Sequence, residues 1–80
     1  ETNIKGLTRD SWITAQLTSK ILLDKKILAI NYSIESVGST VYLIGLAQNQ
    51  AELDRVVAHA RSIRYVRNVI SYIRIKKAPA

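Results

Sequence analysis

Side chains that could perform catalysis or bind a metal are few and widely spaced in this 80-residue chain. His59 is the only histidine, cysteine is absent, and the six acidic residues are scattered along the sequence. No histidine or carboxylate neighbours His59 at the spacing of metal ligands, and no two carboxylates are paired for acid–base catalysis. We therefore predict no enzymatic activity, no metal and no cofactor, and we place His59 on the solvated side of a helix.

The charge of the chain indicates an anionic partner instead. The net charge is +6 and the isoelectric point is near 10.0, a balance that favours nucleic acid, acidic lipid headgroups or acidic proteins. Tyr42 and Tyr72 would offer two rings to single-stranded nucleic acid, but the sheet positions around them are apolar, so nucleic acid is the least favoured partner. The C-terminal part of the chain is basic, and we consider an anion-binding role and an ordinary solvated face equally probable for it. Its six basic residues are Arg61, Arg64, Arg67, Arg74, Lys76 and Lys77.

The apolar periodicity predicts an α+β domain in the order helix, strand, strand, helix, strand. A step of about 100° per residue places Ile13, Leu17 and Ile21 on one core-facing stripe of the first helix, which Asp10 would cap. A period of two marks the strands, and Gly45 assigns its side of the second strand to the core because glycine permits close approach. The predicted ranges are a helix over 10–23, strands that begin near 30 and span 40–47 and 68–76, and a helix over about 50–62.

The second helix has a clear start and a predicted core face. Asn49 followed three residues later by Glu52 resembles a capping box. The core-facing residues would be Leu53, Val56, Val57, Ala60 and Ile63, and the solvated ones Glu52, Asp54, Arg55, His59 and Arg61. A hairpin followed by a helical crossover gives a mixed three-stranded sheet with both helices on one face. Residues 1–9 are expected to form a linker, 10–76 the domain, and 77–80 a disordered basic tail.

The first helix carries a second stripe of apolar and small residues, roughly opposite the core-facing one. A small domain with one core needs only one apolar face of a helix. The only Trp of the chain lies on the spare stripe, which suits a wet apolar boundary such as a membrane interface or a partner groove. The alternative is that Trp12 packs against a preceding part of the chain. We call this set the outer stripe, with Lys20 on the seam beside it: Trp12, Ala15, Ser19, Leu22 and Leu23.

Four segments in this order resemble the BON domain (bacterial OsmY and nodulation). They are the helix DSWITAQLTSKILLDKK, the strand VYLIGLA, the helix that begins AELDR and the strand within VRNVISYI. The resemblance covers residues 10–76 and implies an αββαβ fold. Ser39 and Tyr65 stand at two positions where the family pattern has glycine.

The likeness is greatest to the second BON domain of two-domain outer-membrane lipoproteins of Gram-negative bacteria. It rests on a Trp before the Ile-Thr pair and on Gly45-Leu46 after the second strand. The resemblance implies a periplasmic, outer-membrane-associated module that binds anionic phospholipid such as phosphatidylglycerol and supports envelope integrity, with a targeting segment outside this sequence. By match, the lipid-binding residues would be Trp12, Ser19 and Leu22, with Ala15 and Leu23, while Lys20 would attract headgroups.

An alternative from another class is a protein-interaction module. Its surface would be the side of the sheet away from the helices, which is apolar enough to pack against protein. The partner would be a second BON domain or an envelope protein. We call this set the outer sheet face: Tyr42, Ile44, Leu46, Ile70 and Tyr72.

Overall fold

The computed structural model describes residues 8–77 and confirms the predicted α+β fold. Its elements are α1 (Arg9–Leu23), a 3₁₀ turn (Ala29–Asn31), β1 (Tyr32–Val37), β2 (Thr40–Ala47), α2 (Gln50–Ser62) and β3 (Asn68–Ile75). β2 is the central strand, antiparallel to β1 and parallel to β3, so the sheet is mixed as predicted. Most of the predicted linker and tail lies outside the described residues.

Both helices cover one face of the sheet, and the core lies between the two layers. The helical periodicity is confirmed because Ile13, Leu17 and Ile21 of α1 are buried. They pack with Val41 and Leu43 of β2, so the Gly45 side of that strand is the inner one, as predicted. From α2, Val56 and Ala60 are buried, and so is Ile63, which directly follows the helix. Leu53 and Val57 are only partly buried.

α1 begins one residue earlier than predicted, and Asp10 does not cap it. The cap is Thr8, whose Oγ1 accepts a hydrogen bond from the backbone N–H of Ser11 at 3.1 Å. Asp10 lies in the first turn, and its two carboxylate oxygens accept from the backbone N–H groups of Gly38 and Ser39 at 3.1 and 3.2 Å. The prediction was wrong because the better donors for this carboxylate lie 28 and 29 residues away in sequence.

The hairpin turn is tight, because β1 extends to Val37 and only Gly38 and Ser39 connect the strands. Their φ angles are 55° and 67°, the left-handed conformation that a tight two-residue turn needs. Tyr65, before β3, has a φ of 79°. Ser39 and Tyr65 therefore hold a backbone conformation that favours glycine, at a cost of roughly 1–2 kcal/mol each.

β1 begins at Tyr32, later than predicted, and the side chain of Ile30 ahead of it turns outward. Ile30, near which the strand is predicted to begin, lies in the 3₁₀ turn and is 92% exposed. The chain ahead of β1 curls over β2 at Gly45, where an added Cβ would collide with the backbone carbonyl oxygen of Asn31. The close approach inferred for Gly45 is thus confirmed, and the approaching backbone is that of the 3₁₀ turn.

α2 is capped as predicted, but Glu52 is not solvated. Asn49 Oδ1 accepts from the backbone N–H of Glu52 at 2.9 Å. Glu52 itself is only 4% exposed, and its oxygens accept from the backbone N–H groups of Gln48 and Leu28 at 2.6 and 2.7 Å. Because each buried oxygen is hydrogen-bonded, this carboxylate fastens the loop before β1 to the loop before α2.

Candidate functional site

The C-terminal end of α1 presents the most exposed apolar side chains of the outer stripe. Leu22 is 66% exposed and Leu23 is 81% exposed. Ala15, Ser19 and Lys20 are exposed as well. The structure therefore leaves five of the six predicted lipid-binding residues open to solvent.

Trp12, the sixth, is held against the domain instead of projecting into solvent. Its side chain is partly buried against the core, and its ring meets that of Tyr65 edge to face, with centroids 5.5 Å apart. The guanidinium carbons of Arg9 and Arg64 lie 4.6 and 5.1 Å from the centre of the same Tyr65 ring. Trp12 thus belongs to an aromatic and cationic cluster centred on Tyr65, whose backbone is strained. The sequence pattern does not indicate that Trp12 and Tyr65 are in contact.

A basic concavity of about 480 Å³ opens beside Leu23, between the end of α1 and α2. Lys20, Lys25 and Lys26 contribute to its lining and form no ion pair with any residue of the 8–77 range. We call the combination of exposed leucines and lysines the helix-end surface: Lys20, Leu22, Leu23, Lys25 and Lys26.

Asp24, which ends α1, lies in this concavity and is covered by two residues of α2. Arg55 Nη2 and His59 Nε2 each lie 2.8 Å from Asp24 Oδ2. The prediction that His59 is simply solvated is therefore wrong, since the pairing spans 35 residues of sequence that local spacing cannot reveal. The hydrogen bonds from His59 and from the backbone N–H of Lys26 lower the pKa of Asp24 to about 2. Asp24 is thus ionised and neutralised within the cluster, so the surrounding lysines set the sign of the surface.

A second hollow, an apolar groove of about 370 Å³, lies on the other side of the helix end between α1 and β1. Leu22 and the outward-turned Ile30 contribute to its lining, beside the ring of Tyr32. Tyr32 Oη is buried and finds no hydrogen-bond partner among residues 8–77. Burial raises the pKa of Tyr32 well above its usual range, and Glu52 adds to this through its charge. Sequence periodicity missed Ile30 here because it assigned that residue to a strand.

Four of the five residues of the outer sheet face are exposed. Tyr72 is 62% exposed, and Ile44, Leu46 and Ile70 are each more than a third exposed. Tyr42 is partly buried between its neighbours. These residues are brought together by the pairing of β2 with β3, in which Tyr42 lies opposite Ile70 and Ile44 opposite Tyr72.

Residues 8–77 contain no group of three or more histidine, aspartate or glutamate side chains that could hold a metal ion. Over the same range, no helix has the length and apolar character needed to cross a membrane.

Comparison with known families identifies the fold that these surfaces belong to. The family model for the BON domain matches residues 9–77. This chain belongs to the BON domain family. BON domains are in general non-catalytic binding modules for membrane phospholipids or other proteins.

A curated relative of this BON domain comes from Anaplasma centrale. It is described as an uncharacterized protein in the gshII 5' region and is 41% identical over 76 residues. The match covers 95% of this chain but 50% of the relative. The chain therefore spans about half the length of the curated protein it matches.

Proposed function

We propose that this BON domain is a non-enzymatic module that docks on anionic phospholipid through the helix-end surface and the outer stripe. The observation that carries the proposal is the pairing of two highly exposed leucines, Leu22 and Leu23, with three lysines that no acidic residue of the described range neutralises. The helix-end surface, with apolar side chains surrounded by cations, is complementary to a bilayer that has a hydrocarbon interior and a negatively charged surface.

The free energies expected from these lysines and leucines indicate a weak, reversible attachment. A lysine near an anionic membrane contributes about 1 kcal/mol, screened by salt. A leucine side chain removed from water contributes roughly 1.5–3 kcal/mol when fully buried. Trp12 would add to this only by leaving its contact with Tyr65, so we assign it a secondary role.

The compartment and the whole protein form part of the same proposal. We infer a periplasmic, outer-membrane-associated protein that supports envelope integrity, similar to the second BON domain of two-domain outer-membrane lipoproteins, with targeting information outside this sequence. The support is the Trp12-Ile13-Thr14 and Gly45-Leu46 pattern. The greater length of the curated relative is compatible with a second domain.

Vesicle binding tests the lipid proposal. The wild-type chain should bind vesicles rich in phosphatidylglycerol and leave phosphatidylcholine vesicles unbound. Replacement of both leucines, Leu22→Ser with Leu23→Ser, should weaken binding at least about tenfold, because a loss of about 1.4 kcal/mol already has that effect.

The control removes two exposed apolar residues elsewhere, Leu46→Ser with Ile70→Ser, which are 41% and 37% exposed. That variant should bind phosphatidylglycerol vesicles as the wild type does. Equal weakening by both pairs of substitutions, or backbone amides of α1 whose NMR shifts do not respond to anionic micelles, would contradict the proposal.

A second candidate function is protein binding through the outer sheet face. It is favoured by the exposure of Ile44 and Tyr72 at the centre of that face, where a large apolar side chain gains most from a partner. The partner would be a sister domain or an envelope protein. Ile44→Glu should abolish such an association and leave vesicle binding intact.

A further inference from the structure

The arrangement of charges on the outer sheet face indicates which partner it could bind. This inference extends the second candidate function, protein binding through that face, and does not depend on lipid binding. Strand alternation places Glu35 of β1 and Arg74 of β3 on the same side of the sheet as Ile44 and Tyr72. Glu35 lies opposite Tyr42 in the β1–β2 register, and Arg74 lies opposite Leu46 in the β2–β3 register. The two charges therefore occupy diagonal corners of an apolar patch.

Neither corner charge is used within the domain. Glu35 and Arg74 are exposed, and neither forms an ion pair with any residue of the described range. The centre of the face is formed by uncharged residues, and the charges of Glu35 and Arg74 cancel within the three strands, although the chain carries +6. An acidic partner, which the rest of the molecule would attract, gains no advantage at this face.

We propose that the outer sheet face packs against the same face of a second copy of this chain. A two-fold axis that lies in the interface, perpendicular to the Glu35–Arg74 diagonal, places Glu35 of each copy over Arg74 of the other. The apolar centres then meet, and two intermolecular ion pairs form at the rim. A self-complementary patch of this kind is what an isologous dimer requires.

The sheet geometry agrees with such a pairing. Two strand spacings and four residues along a strand separate the corners by about 16 Å, on a diagonal about 36° from the strands. The two-fold operation then crosses the strands of the two sheets at about 70°, close to the orthogonal class of sheet packing.

The dimer should be weak, because the face is small. Three strands of up to eight residues span roughly 14 by 26 Å, which places the interface at or below the lower limit for specific complexes. The +6 charge on each copy opposes association further. We expect the dimer to be populated only at high micromolar to millimolar concentration or when copies are gathered on a surface.

Charge exchange at the two corners tests the pairing. Analytical ultracentrifugation of this chain from micromolar to millimolar concentration should show a monomer–dimer equilibrium. Glu35→Arg and Arg74→Glu should each lower the association constant by at least about tenfold, since like charges then meet twice in the dimer. The double variant, E35R with R74E, should return the constant to within about threefold of the wild type.

The matched control is Asp54→Arg, which changes the net charge as Glu35→Arg does but lies on the exposed side of α2. It should change the association constant by less than about threefold. A chain that stays monomeric at all concentrations, or a double variant no better than the single ones, would overturn the proposal.

The same variants keep the two proposals apart. Vesicle binding by E35R with R74E should equal that of the wild type, because the net charge and the helix-end surface are unchanged. If the charge exchange fails while vesicle binding holds, dimerisation alone is refuted. If the exchange succeeds while vesicle binding is absent, the lipid proposal alone is refuted.

Discussion

The described residues form two exposed apolar surfaces with different charges around them, and our proposals assign a different partner to each. At the helix-end surface, Leu22 and Leu23 are surrounded by lysines, and the one nearby carboxylate, Asp24, is already paired. At the outer sheet face, Glu35 and Arg74 balance each other. Under our two proposals, the first surface would meet an anionic layer and the second would meet the same face of another copy of the chain.

The two surfaces also differ in how the fold builds them. The sheet face is assembled by strand register, so its residues follow directly from the pairing of β2 with β1 and β3. The helix-end surface depends on tertiary clamps, since Glu52 fixes the loop that follows the lysines and α2 binds Asp24. Variants can therefore remove both surfaces together or change one alone.

The largest expected effect comes from removing Glu52, because both surfaces depend on the stability of the fold. Glu52→Ala leaves the buried N–H groups of Leu28 and Gln48 without an acceptor, at about 1–3 kcal/mol each. We expect a loss of about 3 kcal/mol or more in the free energy of unfolding, measured by urea denaturation. In a domain this small, that is a large part of the total, and both vesicle binding and self-association should decline together.

Two further variants sharpen this measurement. Asp54→Ala, on the exposed side of the same helix, should change the free energy of unfolding by less than about 0.5 kcal/mol. Glu52→Gln keeps one acceptor and should give an intermediate loss. A Glu52→Ala variant as stable as Asp54→Ala would show that the two loops do not depend on this carboxylate.

The parts of the fold that could be predicted from the sequence are those determined by residues close together in the sequence. The period of α1 identifies Ile13, Leu17 and Ile21 because helical geometry alone decides which side chains share a face. The Asn49 cap follows from a bond to the third residue after it, and Gly45 marks a close approach because any Cβ would collide there.

The parts that sequence missed depend on contacts between distant residues. Glu52 has the local spacing of a capping residue, and nothing in that spacing shows that the backbone of Leu28 lies within reach. Asp24 and His59 are likewise joined only by the packing of α1 on α2. Most residues predicted for the two binding surfaces are exposed, but Trp12 packs against Tyr65 and Tyr42 is partly buried. The ligands of both surfaces stay predictions.

An intermediate effect should change one surface alone. Lys25→Gln with Lys26→Gln removes two charges beside Leu23 and should weaken binding to phosphatidylglycerol vesicles by about tenfold or more, at about 1 kcal/mol per lysine. Lys76→Gln with Lys77→Gln removes the same charge after β3 and is the matched control. Equal loss in both variants would mean that vesicle attraction follows net charge and not the helix-end surface.

The smallest effect concerns the acid within the helix-end surface. The folded-state pKa of Asp24 is about 2, below its ordinary value of 3.8, so its ionised form stabilises the fold above about pH 4 and that contribution is lost as the pH falls towards 2. The melting temperature of the wild type should therefore exceed that of Asp24→Asn at pH 5, and the difference should disappear as the pH falls through 2. A difference independent of pH over this range would show that the carboxylate acts through packing alone.

α1 is fastened at both ends to other parts of the domain. Asp10 binds the hairpin turn near its start, and Asp24 is held by Arg55 and His59 at its finish. A helix secured in this way needs no ordering when a ligand arrives, so little conformational entropy is lost on contact. Attachment should accordingly be fast and shallow. The domain should bind as a rigid body, and its residence time should depend on the surface to which it binds.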